Sequence, residues 1–72
     1  MKLTYDPATD ALYLSLGPAP SADSEEIRPG LVLDYDANDN VVGIEILRVR
    51  QLLPEADISR LQTEVLTAAG AK

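Results

Sequence analysis

The chain has 72 residues, with six lysine or arginine side chains against twelve aspartates or glutamates and a formal net charge of −6. It contains neither cysteine nor histidine, which excludes disulfides, Cys or His metal ligands and nucleophilic sites of the Cys–His or Ser–His–Asp kind. Such an acidic chain has no basic footprint for nucleic acid or an anionic membrane surface, and it suits a basic protein partner or a metal ion better.

The first segment, Lys2–Asp6, alternates, with Leu3 and Tyr5 on one face and Lys2, Thr4 and Asp6 on the other. That is the period of a half-buried strand. Asp6-Pro7 suits the first two positions of a type I turn. Ala11–Leu16 alternates again, placing Leu12, Leu14 and Leu16 opposite Ala11, Tyr13 and Ser15, so the two segments read as a hairpin.

Residues 17–23 hold Gly17, Pro18 and Pro20 and read as a loop. Ser24–Arg28 is expected to form a short strand, with Ile27 its only large apolar side chain, and Pro29-Gly30 a turn. Leu31–Asp36 alternates with Leu31, Leu33 and Tyr35 inward, and Ala37–Asn40 is rich in residues that tolerate positive φ. Val41–Val49 is predicted as the longest strand, with Val42, Ile44 and Ile46 on one face and Val41, Gly43, Glu45 and Leu47 on the other. Pro54 then suits a first helical position. Ile58, Leu61, Val65, Leu66 and Ala69 follow helical spacing, and Gly70 suits a C-terminal cap. The spacing predicts a helix over 54–69.

Strands followed by one helix, with no helix between strands, predict an α+β fold. The sheet is expected to be antiparallel, of four to five strands (two hairpins plus a short strand), with one C-terminal helix packed on it. A chain of this length is expected to be a single domain, 1–72, with its sheet core in 2–49. It buries only about 60% of its unfolded surface, and oligomerisation is one remedy for so small a core, so a homodimer is expected. Met1–Asp6 has no apolar signal-peptide core and no run reaches bilayer-spanning length, which predicts a cytoplasmic protein.

Lys2-Leu3-Thr4-Tyr5-Asp6-Pro7-Ala8-Thr9-Asp10-Ala11-Leu12-Tyr13, and then Leu33-Asp34-Tyr35-Asp36 through Val41-Val42-Gly43-Ile44-Glu45-Ile46-Leu47, form two segments that resemble the domain of unknown function 2283 family of small bacterial proteins. The resemblance covers residues 2–49. It implies the fold and an antitoxin-like role beside a small partner, but no catalytic residues and no cofactor. It departs at Asp39, where the family pattern has glycine; Asp adopts the left-handed conformation at a cost that glycine avoids.

The sharpest chemical candidate is a calcium loop. Counted from Asp34, the first, third and fifth positions are Asp34, Asp36 and Asn38, the seventh is Asn40 and the twelfth is Glu45, much of an EF-hand ligand pattern. Against it, Asp39 stands where the sharp turn wants glycine, and the flanks alternate as strands. Hairpin-turn chemistry is the favoured reading. A second candidate is a carboxylate cluster of Asp6, Asp10, Asp34 and Asp36, which requires both hairpins to close at the same edge. Tyr13, Gly43, Glu45 and Leu47 are the candidate interface: an exposed tyrosine can anchor a partner, and a strand glycine marks close approach of another backbone. Arg48 and Arg50 would pair with acids across such an interface. The Ile58/Leu61/Val65/Leu66 stripe would cover this sheet or a partner's. The expected function is a non-catalytic, homodimeric interaction module, antitoxin-like and binding a basic protein. The alternative is calcium binding through the Asp34–Glu45 loop.

Overall fold

Each alternating segment becomes a strand, and the strands assemble in an order different from their order in the chain. The computed structural model describes residues 1–55 and 57–67. β1 (Lys2–Asp6), β2 (Ala11–Ser15), β3 (Asp23–Arg28), β4 (Leu31–Tyr35) and β5 (Val41–Ile46) form one antiparallel sheet in the order β1-β2-β5-β4-β3. The last strand in sequence is therefore the central one. It joins the β1–β2 hairpin, by the pairing of Leu14 with Ile44, to the β3–β4 hairpin, by the pairing of Leu33 with Ile44.

The turns follow their residue chemistry. The Asp6 carboxylate accepts the Ala8 amide at 2.9 Å, and Asp10 closes that turn at φ 55. Asp36 accepts the amides of Asn38 and Asn40, each at 2.9 Å, and Asp39 takes φ 64. Aspartate is among the few non-glycine residues that tolerate this region. Gly30, at φ 83, forms the β3–β4 turn. Two register shifts mark bulges: Ile27 is the extra residue of β3 opposite β4, and Val42 that of β5 opposite β4.

At one end of the sheet stand the 7–10 turn, Gly30 and α1 (Val49–Leu52), a single helical turn. β5 stops at Ile46 rather than running to Val49, because Arg48 turns left-handed at φ 52 and redirects the chain into α1. The Leu47 amide donates to the Gly30 carbonyl at 2.8 Å and the Val49 amide to the Asp10 carbonyl at 3.0 Å. These two bonds seat α1 across the sheet end, and Val49 is fully buried there. At the other end the 16–22 connection passes the 36–40 turn, tied by Leu16 N–H to Val42 O at 2.9 Å and Ala22 N–H to Tyr35 O at 2.7 Å.

The helix expected over 54–69 is not present in the described residues. The helix lies before Pro54 instead of after it. Leu53, at φ −129 and ψ 66, has the extended φ that a following proline imposes. Beyond it, the Asp57 side chain binds Ser59 and Arg60 N–H donates to Asp57 O at 3.1 Å, a local turn that competes with helix. Leu61, Val65 and Leu66 are 65%, 92% and 80% exposed, so little packing along the stripe offsets the cost of nucleating a helix. Ala56, Ala69 of the expected stripe and Gly70 of the expected cap lie outside the described residues.

Candidate functional site

The register assigns every strand side chain to one of two faces. The first carries Leu3 and Tyr5 of β1, Leu12 and Leu14 of β2, Ile44 and Ile46 of β5, Leu31, Leu33 and Tyr35 of β4 and, at the edge, Asp23 and Glu25 of β3. On the three central strands this face holds no charged side chain between Leu12–Leu14, Ile44–Ile46 and Leu31–Leu33. Yet each of these six is only half-buried. Among the described residues the buried apolar side chains are Val42 and Val49. The face is framed at one corner by Ile58 and Leu61, which line a shallow depression with Leu3, Tyr5 and Leu12. At another, Leu52 and Leu53 meet Leu31 and Ile46.

The second face is polar and bonded to itself. Tyr13 stands in register with Glu45, and its ring leans across β5 over Gly43; a Cβ on Gly43 would stand 2.7 Å from Tyr13 Cζ. Opposite Gly43 on β4 is Asp34, and Ser24 Oγ of β3 donates to Asp34 Oδ1 at 2.6 Å. Burial, followed by the neighbouring Asp34 carboxylate, pushes the Tyr13 hydroxyl above its ordinary pKa. A polar line thus crosses β2, β5, β4 and β3.

These positions change the sense of the candidate residues. Gly43 is approached by the Tyr13 ring of the same chain. Tyr13 and Glu45 are half-buried on the polar face, while Leu47 lies past the end of β5 with its amide committed to Gly30. Arg50 bonds within the chain: its amide donates to Asp10 Oδ2 at 3.1 Å, and its Nε lies 3.8 Å from Asp10 Oδ1. Tyr5 also donates to Asp10 Oδ1, at 2.7 Å. The Tyr5 bond is the main cause that holds the Asp10 carboxyl below the usual carboxylate range, and the same bond raises Tyr5. The importance of Asp10 has only a faint sequence signal, an aspartate just after a proline turn.

The β1–β2 turn (7–10) and the β4–β5 turn (36–40) lie at opposite ends of the sheet, so Asp6 and Asp10 do not meet Asp34 and Asp36. The carboxylate cluster is not formed. The proposed calcium ligands are also spread. Asp34 accepts from Ser24, Asp36 is occupied by its turn, Asn38 donates its amide to Asp36, and Glu45 lies two residues along β5 from the position facing Asp34. The Asp36 carboxyl is held below its usual range, chiefly by the Asn40 amide. Among the described residues no group of three or more His, Cys, Asp or Glu is placed to hold a metal ion.

One acidic strip remains. β3 is an edge strand, paired only with β4, and all six of its residues are exposed. It carries Asp23, Glu25 and Glu26, and Tyr35 donates to Glu25 Oε1 at 3.0 Å. That bond is the leading cause raising Tyr35. Asp39 borders the same surface. No helix among the described residues is long and apolar enough to cross a membrane.

The family model described as Protein of unknown function (DUF2283) matches residues 2–50, which span all five strands and the start of α1. Neither a curated protein nor a solved structure matches the chain.

Proposed function

The chain belongs to the DUF2283 family, and from that premise we propose that it is a non-catalytic interaction module, antitoxin-like, which receives a basic protein partner along β3. The observation that carries this reading is the acidic free edge itself. An edge strand presents unpaired backbone N–H and C=O groups to an incoming strand. Asp23, Glu25 and Glu26 lie on that edge, so a partner strand bearing Lys or Arg gains charge complementarity there, while an acidic strand is repelled. The bulge at Ile27 breaks the regular ladder, which limits strand addition to Asp23–Glu26. The overall charge of −6 speeds the encounter with a basic protein at low salt.

The test is co-purification of the native protein from its own cells, followed by a salt titration of whatever binds. A small basic protein is expected, released as salt rises and lost in a Glu25→Lys/Glu26→Lys variant that keeps the parent's circular dichroism. A bound protein indifferent to that double substitution, or native protein that purifies alone, overturns the reading.

A further inference from the structure

We infer that the apolar face of the sheet is the interface of a homodimer, closed by the same face of a second copy. The surface area is the first argument. The chain exposes 5699 Å², whereas a folded monomer of 7.8 kDa is expected to expose about 4,400 Å². The surplus is about 1,300 Å², and a stable interface buries about 800 Å² per partner. The exposed 57–67 segment accounts for part of that area, and on the sheet the six central apolar side chains are only half-buried. A sheet with one apolar face must bury it against another layer.

Three occupants compete for that face. The described part of the C-terminal segment, 57–67, lines the corner at Leu3, Tyr5 and Leu12 and leaves Val65 and Leu66 in solvent. A basic partner is drawn to acids, and on the strands of this face these stand at the β3 rim, as Asp23 and Glu25, not at its centre. A second copy fits best. The centre of the face has no charge to bring into opposition with itself, because the strand acids stand at its β3 rim or on the opposite face. The sheet is also built around β5, with two strands on either side. A two-fold axis over β5 sets Ile44 and Ile46 against their own counterparts, as an isologous interface requires. At the β3 rim this face carries Asp23 and Glu25, in register with Tyr35 and Leu33, but the apolar centre that closes the dimer does not depend on those acids.

The absence of native cysteine allows a single-thiol test on the full chain. In Ile44→Cys, labelling by a bulky maleimide is followed over a dilution series alongside the mass in sedimentation. Expected are twice the chain mass at high concentration and labelling slowed about tenfold or more, with protection and dimer lost together on dilution. Protection at every concentration in a monomer assigns the face to the C-terminal segment and overturns the dimer. Fast labelling at every concentration in a folded monomer overturns it as well, leaving the face to a different protein. The unsubstituted chain guards against a folding defect in the variant: its melting temperature must rise with concentration, and a constant value counts against the dimer.

Discussion

The ring of Tyr13 crosses the central strand at Gly43, the one position of β5 without a side chain to stop it, and reaches towards Asp34 on the strand beyond. A methyl group at Gly43 would stand 3.0 Å from Tyr13 Cε1 and closer still to Cζ. Gly43→Ala is therefore expected to destabilise by about 1–3 kcal/mol, the cost of overpacking, as the ring is displaced. In a Tyr13→Ala background the sign should reverse. Alanine then only replaces glycine in a strand, a gain of about 0.5–1 kcal/mol. Urea denaturation of the four proteins forming this cycle checks both values, and additive effects would sink the account.

Gly30→Ala is expected to cost more than an ordinary surface change. Its φ of 83 is strained for any L residue, and the added Cβ would lie 2.7 Å from Leu52 Cδ1 and 3.2 Å from the Leu47 carbonyl. Backbone strain alone contributes about 1–2 kcal/mol. The loss should show as a lowered denaturation midpoint with an unchanged slope.

Asp39→Gly should act in the opposite direction. The φ of 64 at Asp39 is free to glycine, and relief of that strain outweighs glycine's extra unfolded-state entropy by about 0.5–1 kcal/mol. A melting temperature equal to or below the parent's would refute this.

The carboxylate of Asp10, held below its usual range by the Tyr5 hydroxyl, makes stability depend on pH. A depressed carboxylate stabilises the fold at pH values above its unfolded pKa, and that contribution fades as pH falls through the depressed value. Asp10→Asn keeps a residue tolerant of positive φ and removes the charge. The variant should melt below the parent at neutral pH and approach it in acid. A gap that persists unchanged into strong acid would exclude the charge as the cause.

Calcium at millimolar concentration should leave the melting temperature unchanged. Its best carboxylate, Asp36, is already bonded to the amides of Asn38 and Asn40, and a strand flank does not wrap ligands around an ion as an EF-hand loop does. A calcium-dependent rise would restore the metal reading.

Strands were readable because alternation of period two is a local signal; Leu3/Tyr5, Leu12/Leu14 and Leu31/Leu33 declare their shared face without reference to the rest of the chain. The turns were readable for the same reason, through Asp6-Pro7 and Asp36. What escaped was non-local. Nothing in the order of segments says that β5 inserts between β2 and β4, and so the hairpin tips were free to be imagined at one end. Helical spacing over Ile58–Leu66 is a pattern of faces, and it becomes a helix only where something packs against it; Pro54 and the Asp57 turn favoured the alternative. Nothing local to Gly43 says that the group lying over it is the Tyr13 side chain of the neighbouring strand.

The central place of β5 also governs when the molecule can come into being. β1 and β2 are synthesised first and close their own turn, but β2 finds its other neighbour about thirty residues later, as in the pairing of Leu14 with Ile44. Until Ile46 has left the ribosome there are two separate ribbons, each too small to persist in water. Folding should therefore be all-or-none and late, with a chain that stalls before β5 offering no partial sheet to a partner.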